Sequence, residues 1–124
     1  MAISQRRSAK KETGKKYQHD RTKIKMELGR PASMTKIGKN KISKVRTLGG
    51  NDKKRALQVE QVIILHGKKK EAAKIVRVVQ NPANRHFTRM NVITKGAIIE
   101  TDKGNVKVTN RPGQEGQVQG ILVK

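Results

Sequence analysis

Short segments rich in valine and isoleucine, separated by glycine and asparagine, follow one another from residue 40 to the end of the chain. Runs of β-branched residues bounded by turn formers are typical of strands. The pattern predicts seven strands, at 42–48, 56–65, 74–80, 90–94, 97–101, 105–109 and 117–123. Apolar positions in the first are three residues apart, so its alternation is the weakest. The fold class predicted is mostly β, a small antiparallel sheet or barrel.

Glycine and asparagine mark the chain reversals between these strands. The sequence GGND at 49–52 and DKGN at 102–105 each lie between two strand segments, and Gly and Asn accept the positive φ of a tight turn. NPAN at 81–84 predicts an Asx or proline turn after the strand 74–80, and RPGQEG at 111–116 predicts a turn into the last strand. The first two turns predict hairpins with cationic residues at their ends.

Residues 1–39 differ from the rest, because pairs of Lys and Arg alternate there with Ser, Gly, Thr and Gln. Too few apolar residues are present to offset the entropy of ordering the backbone. We therefore predict a basic, extended N-terminal tail over 1–39, disordered without its partner, and a β-rich domain over 40–124. Within the tail, KIKMEL at 23–28 predicts a short helix or strand stopped by Gly29 and Pro31.

Charge changes this picture more than any motif. The 124 residues carry 30 Lys and Arg against 9 Asp and Glu, a net charge of +21 at pH 7. Residues 1–55 alone hold 18 cationic and 4 acidic side chains. Self-repulsion of this size destabilises a compact state, whereas pairing with phosphates releases counterions and drives binding. The composition predicts a nucleic-acid partner.

The residue types that read base sequence are scarce. Tyr17 and Phe87 are the two aromatic residues and Cys is absent, which excludes a base-stacking platform, a thiolate zinc finger and a disulfide framework. Recognition of backbone and shape remains, which suits a folded RNA. Two other classes stay open from the residues alone: a DNA-compacting protein, and an RNA chaperone or translation factor.

Catalytic and membrane motifs are not found in the sequence. His19, His66 and His86 are scattered and lack the spacing of a metal or acid–base site, so we expect no enzyme activity, metal, cofactor or small-molecule substrate. The longest aliphatic run is 62–65, far short of the roughly 20 residues that span a bilayer. We expect no membrane segment and no export signal.

The candidate phosphate-binding residues are the Lys and Arg of the tail and of the first hairpin, the glycine turn, and the cations after 81–84. Among them Arg30, Arg46 and Arg55 are the preferred anchors, because a guanidinium holds a phosphate through two hydrogen bonds. The full set is Arg6, Arg7, Lys10, Lys11, Lys15, Lys16, Arg21, Lys23, Lys25, Arg30, Lys36, Lys39, Lys41, Lys44, Arg46, Gly49, Gly50, Asn51, Lys53, Lys54, Arg55, Arg85 and Arg89.

Several ordered blocks resemble a known family. They are ELGRPAS at 27–33, TKIG at 35–38, VRTLGGN at 45–51 with Lys53 and Arg55, NPANR at 81–85, ITKGAIIET at 93–101 and VTNRPGQ at 108–114. In these blocks the chain resembles the S8e family of small-subunit ribosomal proteins, in the short form of archaea. The stretch 58–73 departs from the family pattern.

The resemblance implies a structural constituent of the small ribosomal subunit in the cytoplasm. It implies that the basic extension threads into ribosomal RNA, that the barrel-like body docks on the RNA surface, and that neighbouring small-subunit proteins are partners. It implies no catalysis. The long insertion of eukaryotic members is absent, which favours an archaeal-type ribosome.

Overall fold

The structure is a computed structural model that describes residues 3–67 and 69–123. The chain divides into two units, Met1–Ala32 and Ser33–Lys124. Each unit has its own internal hydrogen bonds and is described by itself.

Turns and single backbone bridges organise the first unit. A one-turn 3-10 helix covers Lys25–Glu27, within the segment predicted as a short helix or strand. Two further contacts join the ends of the unit: the Gln5 N–H donates to the Glu27 carbonyl at 2.8 Å, and the Gly29 N–H donates to the Ile3 carbonyl at 2.9 Å. Among residues 3–32 no strand or α-helix forms.

The described part of the second unit contains nine strands, two short α-helices and a one-turn 3-10 helix at Leu48–Gly50. The elements are β1 Thr35–Ile37, β2 Lys41–Arg46, β3 Asp52–Val59, β4 Gln61–His66, β5 Lys69–Gln80, α1 Arg85–Arg89, β6 Val92–Ile93, β7 Ile98–Thr101, β8 Gly104–Val108, α2 Pro112–Glu115 and β9 Gln119–Leu122.

The strands form a four-stranded sheet, in the order β2-β3-β1-β6, and a closed barrel, β4-β5-β7-β8-β9. The predicted β-rich fold and both predicted hairpins are confirmed: β2 pairs antiparallel with β3, and β7 with β8. The pairing is not antiparallel throughout, because β1–β3 and β4–β9 are parallel. Five strands that alternate in direction around a closed barrel bring the first and last into parallel alignment, so an odd strand number requires one such pair.

Valine and isoleucine fill the interior, as their concentration after residue 55 predicts. The buried hydrophobic residues of the described chain all lie between Ala56 and Val118, with Val62, Ile64, Ile99 and Val106 at 2% exposure or less. In the stretch 58–73, the register of β4 on β5 runs from Gln61 opposite Lys74 to His66 opposite Lys69. Alternate residues of these strands point inward, which is the pattern that closes a small barrel around side chains.

The segment predicted as one strand over 56–65 is two strands that meet at Glu60. The Glu60 N–H donates to Asn40 Oδ1 at 3.0 Å and its carbonyl accepts from the Ile75 N–H at 2.9 Å. These bonds bend the chain, so β3 stays in the sheet while β4 enters the barrel. Apolar character continues across the bend, and for that reason the sequence pattern does not reveal it.

Both predicted turns, 81–84 and 111–116, run into single-turn helices. Asn81 Oδ1 accepts from the Ala83 N–H at 3.0 Å, the expected Asx turn, and Asn84 Oδ1 then caps α1 by accepting from the His86 N–H at 2.9 Å. In α2, Pro112 occupies the first turn and Gly116, at φ 74°, ends the helix. These short helices are local elaborations of turns that the sequence does predict.

The second unit begins before the boundary predicted at 39/40. Strand β1 pairs with both β3 and β6, and Thr35 is buried with its Oγ1 donating to the Ala56 carbonyl at 2.7 Å. Residues 33–39, placed in the tail by composition, therefore belong to the packed unit. A three-residue strand among polar neighbours carries too little apolar pattern to be recognised in sequence.

Two truncations test this boundary. A chain lacking residues 1–32 should melt within a few degrees of the full chain, because β1 and its partners are retained. A chain lacking 1–39 loses β1 and leaves the Ala56 carbonyl without its buried donor, a cost of about 1–3 kcal/mol. We expect its Tm to fall by at least about 5 °C in thermal unfolding followed by circular dichroism. Equal melting temperatures for the two truncations would contradict this boundary.

Barrel closure gives a second prediction, at Gly120 of β9. A Cβ on Gly120 would lie 2.4 Å from Val106 Cγ1 and 2.7 Å from the Lys107 carbonyl oxygen, distances that force β8 and β9 apart. We expect Gly120→Ala to destabilise the protein by about 1–3 kcal/mol in chemical denaturation. Gly113→Ala is the control, since its Cβ meets the Ser33 side chain at 3.3 Å, which a small shift relieves.

Candidate nucleic-acid interface

Ten of the predicted cations lie in the first unit, and all ten are exposed. They are Arg6, Arg7, Lys10, Lys11, Lys15, Lys16, Arg21, Lys23, Lys25 and Arg30. Some already have internal partners: Arg6 donates to Asp20 at 2.6 Å, Arg21 pairs with Glu27, and the Arg7 guanidinium lies 4.2 Å from the Tyr17 ring centroid. The hydrogen bond from Arg6 holds the pKa of Asp20 below its ordinary value.

A second cluster is the cationic hairpin, which we define as residues 41–55: β2, the glycine turn and the first half of β3. It contains six cations and one acid, Asp52. Lys44 stands directly opposite Lys54 in the β2–β3 register. Like charges at directly opposite positions of an antiparallel pair are destabilising. The hairpin is therefore held together against its own charge by the rest of the unit.

The cations of the hairpin emerge from both of its faces. Lys53 stands opposite Val45, and Arg55 opposite Ser43, one register position away from the Lys44 and Lys54 pair. Successive residues of a strand point to opposite faces, so Lys53 and Arg55 project on the other side from Lys44 and Lys54. A partner that neutralises all four charges has to reach around the hairpin.

Arg55 carries a specific electrostatic signal. Its side chain is half-buried, and Nε is the one buried side-chain polar atom within 3–67 and 69–123 that has no hydrogen-bond partner. Burying a charged donor without an acceptor costs more than leaving it in water. An anionic oxygen at this position would remove that cost, and the guanidinium fork suits a phosphate.

The apex of the hairpin is an open glycine turn. Gly49 and Gly50 adopt φ of 76° and 75°, which side chains disfavour, and a Cβ on Gly50 would meet no atom within 4 Å. The Thr47 N–H and Oγ1 both donate to the Asn51 carbonyl, at 2.7 and 2.8 Å, and fix the base of the turn. Leu48 at the apex is 94% exposed. The turn is rigid at its base and free of other atoms on its outer side.

Three acidic residues of the second unit pair with cations of the barrel strands and their turns rather than with those of the hairpin. Its ion pairs join Lys74 to Glu60 at 3.6 Å, Lys103 to Glu71 at 2.7 Å, and Arg77 to Glu100 at 2.5 Å. The hydrogen bond from Lys103 lowers the pKa of Glu71 from its ordinary value. In the described part of the unit no ion pair includes a residue of the cationic hairpin.

Some of the remaining predicted residues lie beside the hairpin, and the others lie on helix α1. Lys36 on β1 and Lys41 on β2 both pair with Gln58 of β3, so they flank it on either side, and Lys39 lies in the connection between them. Arg85 and Arg89 are exposed on α1, next to β6 at the far edge of the sheet from β2. The structure therefore does not bring these two arginines to the hairpin.

Two further groups of polar residues were not predicted from the sequence. Lys69 and Lys70 are exposed at the start of β5, beside the turn that contains Gly67 at φ 60°. A glycine inside a basic run between two apolar segments is the signal that would have identified this second basic hairpin. The other group consists of uncharged carboxamide side chains beside β2, for which the sequence gives no distinctive pattern.

In the described ranges no group of three or more His, Asp or Glu side chains is arranged to hold a metal ion. No helix between residues 3 and 123, residue 68 aside, has the length and apolar character needed to cross a bilayer.

A small closed barrel with three ion pairs, carrying a hairpin with unpaired cations on both faces of its described residues, defines a class of basic proteins that dock on a folded polyanion. Residues 4–123 match the family model described as Ribosomal protein S8e. The chain belongs to this family, and the resemblance inferred from the sequence blocks is confirmed.

Archaeal relatives agree with this assignment. Small ribosomal subunit protein eS8 of Nanoarchaeum equitans is 47% identical over 115 residues, covering 90% of each chain. The protein of the same name from Methanobrevibacter smithii is 41% identical over 125 residues, covering 99% of this chain and 100% of that one. The eS8 protein of Haloarcula marismortui is 41% identical over 120 residues, 97% and 98% of the two chains.

The Lys44–Lys54 pair generates a testable prediction about stability. Lys44→Glu replaces a like-charge pair with an opposite-charge pair, so we expect it to stabilise the protein by about 0.5 kcal/mol at low salt. Lys107→Glu is the control, because it makes the same charge change on β8 opposite Ile98 and Ile121. Chemical denaturation at low and high salt measures both. Equal effects of the two substitutions at low salt would show that the hairpin repulsion is negligible.

Proposed function

We propose that this chain is a structural constituent of the small ribosomal subunit in the cytoplasm, with no catalytic role. It binds ribosomal RNA by phosphate neutralisation and by shape, and the cationic hairpin is its central contact. Family membership, archaeal relatives that cover nearly the whole chain and the charge of +21 support this proposal. Neighbouring small-subunit proteins are further partners.

The observation that carries the hairpin assignment is the opposition of Lys44 and Lys54, together with Arg55 Nε, which has no hydrogen-bond partner among the described residues. Both features are unfavourable in the protein alone, and both become favourable when phosphate oxygens surround the hairpin. Cations on two faces fit a groove or crevice of folded RNA better than a flat duplex surface. The exposed Leu48 at the apex suits the same setting, since a crevice presents the faces of unstacked bases to an apolar tip.

The cations of residues 1–39 have a second role in this proposal. Together with Arg85 and Arg89 they neutralise further phosphates, and the tail acquires its final conformation on RNA. Arg30, Arg46 and Arg55 hold phosphates through their guanidinium forks, while the lysines act as point charges. The open glycine turn lets the backbone at Gly49 and Gly50 approach a phosphate closely.

Salt dependence is the experiment that tests this function. If about ten phosphates are engaged, log K for purified small-subunit ribosomal RNA should fall with log salt at a slope of roughly −7 to −9. Changing Lys41, Lys44 and Lys53 to Gln should reduce the magnitude of that slope by about 2 to 3. The reason is that the RNA then keeps the counterions that each lost phosphate contact would have released. Filter binding across a salt series measures both values.

The matched control changes Lys74, Arg77 and Lys103 to Gln, which removes the same charge from the ion-paired side of the barrel. Surface ion pairs contribute little to stability, so this variant should fold and keep the wild-type slope. A flat salt dependence of the wild type would reject the proposed function. Equal affinity for duplex DNA and ribosomal RNA would instead indicate a general basic nucleic-acid-binding protein.

A further inference from the structure

A carboxamide pocket lies at the root of the cationic hairpin, between β2, β3, β4 and the residues after α2. Its volume is about 250 Å³. Four carboxamides line it, from Asn40, Gln58, Gln61 and Gln117. Aliphatic side chains, Ile63 among them, form the rest of its walls, and no charged side chain of the described residues lines it. In a chain of which 31% is charged, this is an uncharged polar site.

Three of the four carboxamides of the pocket form no side-chain hydrogen bond within the described residues. Within 3–67 and 69–123, the side chains of Gln58, Gln61 and Gln117 make no hydrogen bond to another residue. Asn40 accepts from the Glu60 N–H at 3.0 Å through Oδ1, which leaves its amino group for another acceptor. Each carboxamide offers a donor and an acceptor side by side. The pocket therefore presents paired hydrogen-bonding groups to whatever enters it.

Positive charge surrounds this uncharged pocket. Gln58 stands between Lys36 and Lys41 in the sheet register, and strands spaced about 4.8 Å apart place these two lysines about 10 Å from one another. On the other side, a Cβ on Gly116 would lie 2.9 Å from Lys54 Cβ, so the backbone at the pocket rim touches the hairpin. This arrangement matches a ligand with a neutral part that enters the pocket and an anionic part that stays among the surrounding cations.

We propose that the carboxamide pocket takes one unstacked nucleobase of the RNA whose phosphates lie on the cationic hairpin. This inference rests on the proposed function and adds a base contact to it. Aliphatic side chains flank the ring on the protein side, and the carboxamides pair with its edge, as proteins do with splayed bases of single-stranded RNA. Adenine offers the donor and acceptor arrangement that Asn and Gln complement with two hydrogen bonds. The pocket thus selects a nucleotide although the chain lacks an aromatic platform.

The test compares a pocket variant with a glutamine control in the full chain. The pocket variant is Gln58→Ala with Gln117→Ala, and the control is Gln80→Ala with Gln114→Ala, two exposed glutamines outside the pocket. None of the four side chains makes a hydrogen bond within the described residues, so both variants should have the melting temperature of the wild type. Purified small-subunit ribosomal RNA is the probe. Affinity, salt slope and dimethyl sulfate reactivity of its bases are the readouts.

We expect the pocket variant to bind about tenfold more weakly with an unchanged salt slope, because it loses a base contact and no phosphate contact. We also expect one adenine that the wild type and the control protect to become reactive again. Unchanged affinity and protection in the pocket variant, with a steep slope retained, would overturn the base pocket and leave the proposed function standing. A flat slope for the wild type would overturn both. A third outcome is that the pocket variant binds RNA normally but is missing from reconstituted small subunits. That result would overturn the base pocket and indicate that a side chain of a neighbouring protein occupies it.

Discussion

Uncompensated positive charge on one hairpin is the constraint around which the second unit is organised. Lys44 faces Lys54 across two strands, Arg55 Nε has no acceptor among the described residues, and no ion pair of those residues includes a cation of the hairpin. Three of the six acids of the unit, Glu60, Glu71 and Glu100, form ion pairs with Lys74, Lys103 and Arg77. Ion pairs in the described part of the unit are thereby confined to the barrel strands and their turns, and the hairpin keeps an excess of cations.

The barrel supplies the stability that such an element lacks. Its interior of valine and isoleucine is closed by an odd number of strands, and the parallel β4–β9 contact completes the ring. β3 continues into β4 through the bend at Glu60, so the hairpin is covalently continuous with a barrel strand. Strand β1 and α2 add contacts to β3 from two further sides. A repelling hairpin therefore keeps its shape before any partner arrives.

Much of this could be predicted from the sequence, because charge and β-branched residues are local properties. The mostly β fold, the barrel, both hairpin turns and the core after residue 55 follow from composition and periodicity. The bend at Glu60 does not, since it depends on a hydrogen bond from Asn40, 20 residues earlier. Strand β1 could not be predicted for a related reason. Thr35 is buried by contacts with residues distant in sequence, and a three-residue polar strand has no hydrophobic pattern that indicates this burial.

Part of the candidate interface could likewise be predicted from the sequence. Clustering of Lys and Arg located the hairpin, but which cations face each other depends on strand register, and Arg85 and Arg89 proved to lie at the other edge of the sheet. The carboxamide pocket could not be predicted, because Asn40, Gln58, Gln61 and Gln117 come together through the fold alone. Four uncharged residues scattered over nearly eighty positions form no pattern in the sequence.

The position of β2 at the end of the sheet has a consequence for solubility. An edge strand leaves backbone donors and acceptors open to pairing with another chain, which is how aggregation begins. β2 carries Lys41, Lys44 and Arg46 along that edge. A second copy approaching in register would bring its own cations against them. Repulsion between these cations thus opposes edge-to-edge pairing of two copies before the protein is assembled into the ribosome.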